Sequence, residues 1–296
     1  MKKYFVIIIA VVLAGCELTV PVELPDQEPR IVVNSFVLAD SMWQVEVFTS
    51  KVMNDISWQY DINEKATVNI FSGDAFVEQL SFNNSVGKYT SINNLPQAGK
   101  TYTIKVDAPD LESVEATTYV PHAVQIEKLE FIKNVRQDAD GNWESDLKIT
   151  FTDNGNQENY YGLSIQKDYA MQPGFYEPVC FSTLDPVFSE GSVAIGDNGM
   201  SYICEPVALF NDDLIDGKTY ELKVILNQYA YEQAGHLQIK LYTVTREFHL
   251  YTRSMRLQRE NEGNPFAEPV IVFNNILKGF GIFAGLNFDS ELIKVD

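Results

Sequence analysis

Short runs of alternating apolar and polar residues dominate the sequence and constrain its fold more than any other feature. Alternation with a period of two places apolar side chains on one face of a strand, as for Tyr102, Ile104 and Val106. Turn residues separate the runs at intervals of roughly ten residues, the spacing of an immunoglobulin-like or fibronectin-III-like β-sandwich. The runs before Pro121 are Ile31–Val37, Gln44–Phe48, Ala66–Phe71, Phe76–Phe82, Thr101–Val106 and Val114–Val120.

The strand pattern continues beyond Pro121, where we place a domain boundary. We predict a mostly β protein in which an immunoglobulin-like sandwich of residues 31–121 precedes a second β-rich domain of residues 122–296. The runs in this second part are Val124–Ile132, Asp146–Phe151, Tyr160–Ile165, Thr219–Leu226, His236–Tyr242, Val270–Phe273 and Gly279–Phe288.

One segment of the second domain follows a helical period instead. Its apolar residues recur at intervals of three or four, which predicts an amphipathic helix over about 243–262. This helix either presents a basic face to an acidic partner or ligand, or has a solvated basic side while it packs on a sheet. Its other faces carry the arginines Arg246, Arg253, Arg256 and Arg259 in an otherwise acidic chain.

The N-terminus has the order of a bacterial lipoprotein signal peptide. Lys2 and Lys3 precede an apolar run, and the lipobox Leu13-Ala14-Gly15-Cys16 follows it. The run is much shorter than the ~20 residues that cross a bilayer as a helix, so we expect no transmembrane anchor. We predict cleavage of residues 1–15 and acylation of Cys16. The alternative is an ordinary secretory signal with an incidental cysteine.

Residues 16–30 carry prolines at every fourth position, at Pro21, Pro25 and Pro29. Such a segment cannot form a helix and has little to bury, so we predict an extended tether between Cys16 and the folded body. At about 3.1 Å per residue, this tether would span roughly 40 Å.

The formal net charge of −19 at pH 7 limits the partners that the chain can bind. Nucleic acid binding needs clustered Lys and Arg to neutralise phosphates, and no basic block follows the signal peptide. The acidic excess also weakens adsorption to anionic lipids. We therefore expect no nucleic acid partner, and membrane attachment through the lipid anchor on Cys16.

Cysteine usage agrees with an oxidising compartment. Beside Cys16, the chain contains Cys180 and Cys204, with a stretch rich in Gly, Ser, Asp and Pro between them. A disulfide between these two would contribute roughly 3 to 4 kcal/mol in the loop-entropy model. The alternative is two separately buried thiols. A zinc site is weaker still, because no histidine lies near either cysteine in sequence.

Residue types that carry catalysis show no convergent pattern. The three histidines, His122, His236 and His249, are scattered, and no nucleophile elbow, phosphate loop or dinucleotide fingerprint occurs. The acidic run at 138–146 departs from the EF-hand spacing, and a hairpin turn accounts for it. We therefore expect no catalytic residue, no cofactor and no metal. A hydrolase with an unrecognised carboxylate pair is the least favoured alternative.

Aromatic residues make up 12% of the chain. Exposed aromatic rings stack on sugars or on partner proteins, whereas most aromatic residues of a β protein fill its core. Trp43, Trp58 and Trp143 lie beside polar turn residues, so we place them, with the four arginines, on a candidate partner or ligand face.

Several phrases together resemble the DUF4249 family of Bacteroidetes lipoproteins over nearly the whole mature chain. The family has no established activity, so the resemblance assigns no catalytic or binding residue. It implies a lipoprotein that assists a TonB-dependent outer-membrane receptor, because similar proteins typically occur beside such receptors. The phrases, besides the lipobox, are Tyr102–Pro109, Ala116–Pro121, Asn159–Tyr161, Asp185–Phe188, Gly263–Pro269 and Gly279–Gly285.

These observations lead us to expect a non-enzymatic accessory lipoprotein at the outer membrane that binds a ligand or its transporter. The alternative is a structural or adhesive surface lipoprotein whose sandwich spaces or displays the second domain. The sequence leaves open the chemistry of the ligand and whether the protein faces the cell surface or the periplasm.

Overall fold

Strands with one buried face build most of the structure. In the strand Thr101–Asp107, Tyr102, Ile104 and Val106 are buried and Lys105 is exposed, as the alternation predicts. The predicted fold class, mostly β with one amphipathic helix, is therefore confirmed. The structure is a computed structural model, and it describes residues 28–51, 61–169, 172–188, 194–195, 200–232, 234–264 and 266–295.

The elements follow each other in chain order. The strands are β1 (Ile31–Leu38), β2 (Gln44–Thr49), β3 (Asp61–Ile62), β4 (Thr67–Ser72), β5 (Ala75–Asn83), β6 (Lys88–Thr90), β7 (Thr101–Asp107), β8 (Val114–Tyr119), β9 (Lys128–Gln137), β10 (Trp143–Thr152), β11 (Tyr160–Tyr169), β12 (Gln172–Pro178), β13 (Phe181–Thr183), β14 (Ala194–Ile195), β15 (Ser201–Ile203), β16 (Ala208–Asn211), β17 (Thr219–Asn227), β18 (Ala234–Val244) and β19 (Phe280–Lys294). The helices are α1 (Gln228–Tyr231) and α2 (Arg246–Asn261), and a 3₁₀ turn covers Pro186–Phe188.

The described strands form two sheets. The larger has the order β12-β11-β18-β19-β1-β2-β6-β5-β4-β7-β8, with β16 also paired to β11 and β3 to β2. The smaller has the order β14-β15-β13-β17-β10-β9. Neighbours in both sheets are antiparallel with the exception of β1 and β19, which run parallel.

The first part of the chain folds as the predicted β-sandwich. Strand β5 pairs with β4 along Ala75–Leu80 and with β6 along Ser81–Asn83, so it passes from one layer to the other. The inward residues of β1, β2, β4, β7 and β8 share one hydrophobic core. Burial of this apolar surface is the main force that holds the two layers together.

Strand β19 connects the two parts of the chain. It pairs with β1 from Phe280 to Leu286 and with β18 from Leu286 to Lys294. Phe283 belongs to the core of the first part, whereas Ile293 packs against the core of the second. The described residues 30–50 and those from 61 onward belong to one compact unit. The predicted division at Pro121 stays a prediction.

Helix α2 lies in the predicted segment but begins later than the predicted start at Thr243. Strand β18 continues to Val244, which pairs with Leu286, and Thr245 then caps the helix by accepting from the Phe248 N–H. An N-cap threonine satisfies one of the unpaired N–H groups of the first turn, which sets the start of the helix.

The predicted strand at Val270–Phe273 is wrong, because this segment is irregular in the structure. Its Phe273 N–H donates to Ser254 Oγ of helix α2 at 2.9 Å, and the Phe273 side chain packs against the small core beneath that helix. A β-like sequence thus packs against the helix as an irregular segment, because none of the described strands pairs with it.

Predictions for the N-terminal residues fall largely outside the described residues. The signal peptide at 1–15, Cys16 and most of the tether at 16–30 lie there, and only its last residues, 28–30, are described. Among the described helices, none combines the length and apolar character needed to cross a membrane.

Candidate functional site

Helix α2 forms one wall of a cavity of about 230 Å³, which we call the α2 cavity. His249, Thr252, Arg253 and Arg256 of the helix line it. Their spacing places them on one face of the helix, because residues three and four positions apart are neighbours on a helical surface.

A second face of α2 fixes the helix to the larger sheet. Phe248 is buried with Tyr160, Val244 and Ile282 in a small core of its own. The Phe36 ring of β1 lies edge-on against Phe248, with 5.0 Å between the ring centroids. This packing turns the face that begins at His249 toward the α2 cavity.

The opposite wall is apolar and belongs to the main core of the second part of the chain. It comes from the 3₁₀ turn and from the segment that contains β15 and β16. A disulfide between Cys180 and Cys204 holds one end of this wall, and Cys204 itself lines the cavity. The buried apolar residues of the wall are Val187, Phe188, Ile203, Ala208 and Phe210.

His249 is the most deeply buried polar residue of the α2 cavity. The residue is 7% exposed, and its Nδ1 has no hydrogen-bond partner among the described residues. Burial, and then the nearby Arg253 and Arg256, lower the pKa of His249 to about 4, whereas Glu158 acts in the opposite direction. The imidazole is therefore neutral at pH 7 and can donate or accept a hydrogen bond.

Two guanidinium groups supply the positive charge of the cavity. The Nε of Arg256 is buried and has no hydrogen-bond partner in the described part of the chain, although it lies 3.7 Å from Glu260 Oε1. Arg253 is exposed at the same face. One acidic residue, Glu205, also lines the cavity and lies 3.8 Å from the Arg259 guanidinium.

The arrangement suits binding of a ligand with an apolar body and an anionic group. The apolar wall can bury the body, and guanidinium groups bind carboxylates and phosphates through paired N–H donors. The residues that define the site are separated widely in sequence, with β15 and β16 before helix α2.

A larger opening of about 740 Å³, the junction cleft, lies where β8, β11 and the start of α2 meet. Arg246 and Glu158 both line it, and the Tyr160 hydroxyl donates a short hydrogen bond to Glu158. Burial, and then Glu158, raises the pKa of Tyr160 to about 12. Its lining carries three glutamates, Glu127, Glu158 and Glu247, against one arginine, Arg246, so the junction cleft offers less positive charge to an anionic ligand than the α2 cavity does.

Three aspartates form the group within the described residues that could hold a metal ion. Carboxylate oxygens of Asp153, Asp212 and Asp216 lie within 4.8 Å of one another. The two buried ones are used already: Asp153 accepts from Gly217 N–H at 2.7 Å, and Asp212 accepts from Asn159 N–H at 2.8 Å. These bonds join two loops, which accounts for the cluster without a cation.

The four predicted arginines separate into three environments. Arg253 and Arg256 line the α2 cavity, Arg246 lines the junction cleft, and Arg259 lies near Glu205. His249 lies beside Arg253 and Arg256 in the α2 cavity, although it is not among the predicted site residues. The spacing of His249, Arg253 and Arg256 at four and three residues is the signal that could have found it.

The predicted tryptophan face is wrong at Trp43, which is buried. Its ring packs edge-on against Tyr102 at 5.0 Å and stacks on Phe283 at 6.3 Å between centroids, so it belongs to the first core. Burial of its large apolar area outweighs the polar neighbours in sequence. Trp143 is exposed at the start of β10, away from the α2 cavity lining, and Trp58 lies outside the described residues.

Comparison with known proteins finds one family. The profile of the family described as Domain of unknown function (DUF4249) matches residues 17–291. No curated protein matches the sequence.

Similarity to solved structures is distant. Escherichia coli alpha-2-macroglobulin activated by porcine elastase is 10% identical with a TM-score of 0.25, over 73% of this chain and 18% of that one. A membrane anchored protein from Corynebacterium diphtheriae is 10% identical with a TM-score of 0.22, over 74% and 55%. The BSP domain of a biofilm associated protein is 8% identical with a TM-score of 0.22, over 88% and 58%. The chain thus spans less than two thirds of each of these structures.

Proposed function

This chain belongs to the DUF4249 family, and we propose that it is a non-enzymatic accessory lipoprotein of the outer membrane that binds a ligand. In this proposal the α2 cavity is the ligand site, and a TonB-dependent receptor is the partner that takes the ligand up. Cys16 carries the lipid anchor, and the tether at 16–30 lets the folded body reach the receptor.

The observation that carries the binding proposal is the combination of an apolar wall with a wall that bears Arg253, Arg256 and His249. A cavity of this kind is typical of small-molecule sites, which are mostly apolar with a few placed polar groups. The anchor is supported by the lipobox alone, and the receptor by the resemblance to proteins that occur beside such receptors.

The ligand part of the proposal is tested by native mass spectrometry of the chain purified from its own cells. We expect a bound small molecule that is released on collisional activation. Thr252→Phe fills the α2 cavity and should abolish this mass difference. Leu257→Phe, at an exposed position of the same helix outside the cavity lining, is the matched control and should keep the ligand. Retention of the molecule by Thr252→Phe would remove the α2 cavity from the proposal.

The partner part is tested by affinity purification of the native lipidated protein from outer membranes. Stoichiometric recovery of a β-barrel receptor supports the accessory role. Its reproducible absence, with the lipoprotein itself intact, would refute that role and leave the ligand proposal standing. Protease treatment of intact cells would then decide the side of the membrane, since loss of the protein places it on the cell surface.

The second candidate function is a structural or adhesive surface protein, and one observation favours it. The segment after helix α2 exposes two large apolar side chains, Phe266 at 95% and Ile271 at 92%. A contiguous exposed apolar patch is typical of a surface that contacts another protein, and in this second proposal the two side chains belong to such a patch. A mutant with Phe266→Ser and Ile271→Ser that loses cell adhesion but keeps the cavity ligand would favour this second function.

A further inference from the structure

We propose that the α2 cavity selects a small organic carboxylate with an apolar body. The carboxylate would bind Arg253 and Arg256, and the body would lie against Phe188 and Phe210 of the opposite wall. The inference rests on the proposed function, because it names the ligand class of the same cavity.

The size of the cavity limits the apolar body. A volume of about 230 Å³ corresponds to roughly eight groups of the size of water at ~30 Å³ each. A compact acid of on the order of ten non-hydrogen atoms fits this space, whereas a long lipid chain, a nucleotide or a folded peptide does not.

Charge in the cavity favours a ligand with one negative charge. Arg253 and Arg256 contribute two positive charges, and Glu205 contributes one negative charge, while the buried His249 is neutral at pH 7. The formal charge of these lining residues is thus +1 in a chain with a net charge of −19. A positive site in so acidic a protein attracts a monoanion that the rest of the surface repels.

Unpartnered polar atoms point to the same place. Four buried side-chain nitrogen or oxygen atoms of the described residues have no hydrogen-bond partner, and two of them, His249 Nδ1 and Arg256 Nε, belong to residues that line the α2 cavity. A buried polar atom without a partner destabilises the folded state, so a folded protein rarely carries two in one wall without a use. A ligand carboxylate would bring acceptor oxygens to this wall of the cavity.

A carboxylate accounts for these features better than a phosphate does. A phosphate dianion would meet the charge of Glu205 with only two guanidinium groups to neutralise it, and it lacks the apolar body that Phe188 and Phe210 would bury. Carboxylates match the planar fork of arginine with two parallel hydrogen bonds.

The test is isothermal titration of the chain from Glu17 onward, which contains every described residue and needs no detergent. The probes are octanoate and 3-phenylpropionate, with octanamide as the neutral match of octanoate and inorganic phosphate as the anion without an apolar body. We expect both carboxylates to bind, and octanamide to bind at least about ten-fold more weakly than octanoate, since it loses the charge-assisted hydrogen bonds.

Variants locate the binding. Arg253→Gln and Arg256→Gln should each weaken octanoate binding by about five-fold or more, and should weaken octanamide binding by a smaller factor. Arg246→Gln on the same helix, which lines the junction cleft instead, is the matched control and should change the affinity by less than about two-fold. Circular dichroism of each variant confirms that the fold is retained.

Three results would overturn the inference. The first is equal affinity for octanoate and octanamide. The second is tighter binding of phosphate than of either carboxylate. The third is that neither carboxylate binds at concentrations up to about 10 mM, near the weakest binding that a small ligand shows. If a molecule from cells still occupies the cavity in native mass spectrometry, the proposed function stands and only the ligand class fails. If Thr252→Phe also leaves that molecule in place, the proposed site fails as well.

Discussion

At Glu78, one buried carboxylate holds the loop that follows β6. Its Oε1 accepts from the N–H of Ile92 at 2.7 Å and of Asn93 at 3.1 Å, and its Oε2 accepts from the N–H of Asn94 at 2.8 Å. Burial raises the pKa of Glu78, but these backbone donors together outweigh it, so the pKa lies below its ordinary value of 4.5. The ionised carboxylate therefore stabilises the folded state.

We expect Glu78→Gln to lower the free energy of unfolding by about 1 to 3 kcal/mol at pH 7, because one amide oxygen cannot serve all these donors. The folded pKa is below the unfolded one, so the stabilisation is present above pH 4.5 and is lost as the pH falls through the folded pKa. The difference from the wild type should therefore shrink in acid. Urea unfolding measures it, and Glu115→Gln, at an exposed ion pair with Lys105, should cost less than about 1 kcal/mol.

Because His249 is buried in its neutral form, we expect the folded protein to lose stability in mild acid. Its folded pKa of about 4 is below its ordinary value of 6.5, so between these values the unfolded chain binds a proton that the folded chain excludes. The charged groups that act on it are Arg246, Arg253, Arg256 and Glu158. The exclusion of this proton therefore does not lower the free energy of unfolding above pH 6.5. Between pH 6.5 and pH 4 it lowers that free energy by about 1 kcal/mol for each pH unit.

The variant His249→Asn removes this titration. Its unfolding free energy should fall less steeply than that of the wild type between pH 6.5 and 4, as urea unfolding at several pH values would show. At pH 8 both side chains are neutral, so the difference there measures packing alone. Parallel curves for the two proteins below pH 6.5 would contradict the buried neutral state of His249.

Among the elements, β19 depends on glycine for its close approach to its neighbours. A Cβ at Gly285 would overlap the backbone carbonyl of Tyr119, which follows from how tightly β19 crosses the end of β8. The Gly285 N–H donates to Thr118 Oγ1 at 2.9 Å, which fixes the crossing further. Gly281 has a φ of +110°, a region that side chains disfavour.

Gly285→Ala should therefore destabilise the protein by more than about 2 kcal/mol, because backbone must move to admit one methyl group. Thermal unfolding followed by circular dichroism measures the effect. Gly73→Ala is the control. Gly73 has a φ of +58° but open space around a Cβ, so the substitution should destabilise the protein only by the backbone strain of about 1 kcal/mol. A Gly285→Ala variant as stable as Gly73→Ala would show that β8 and β19 lie farther apart than described.

At the scale of the whole molecule, the core of the first part is incomplete without β19 and the residues just before it. Ile276 and Phe283 are buried among the residues of the sandwich, and Phe283 stacks on Trp43. Removal of a large buried side chain costs about 3 to 5 kcal/mol, a large part of the stability of a domain.

We therefore expect the fragment of residues 17–121 to lack a cooperative thermal transition, whereas the chain from residue 17 to 296 has one. Differential scanning calorimetry and amide hydrogen exchange of both proteins provide the test. A cooperative transition of the fragment alone would support two independently folding domains divided at Pro121.

The sequence predicts local elements well where side chains alternate along a strand that is buried on one face. Thr101–Val106 and Val114–Val120 are examples, and the structure has strands there. The sequence predicts the structure of a segment poorly where contacts with residues far away in the chain determine it. Trp43 is buried by a strand more than two hundred residues later, and Val270–Phe273 is held irregular by helix α2. No local pattern contains either partner.

The candidate site likewise has features that the sequence predicts and features that only the folded structure determines. Helical spacing alone puts Arg253 and Arg256 on one face, and the lipobox alone predicts acylation of Cys16. That this face, which includes His249 by the same spacing, lies opposite Phe188 and Phe210 and encloses a cavity follows only from the packing of α2 on the larger sheet. Periodicity is a property of neighbouring residues and can be read from the chain, whereas a cavity and its charge depend on surfaces that meet only after the chain has folded.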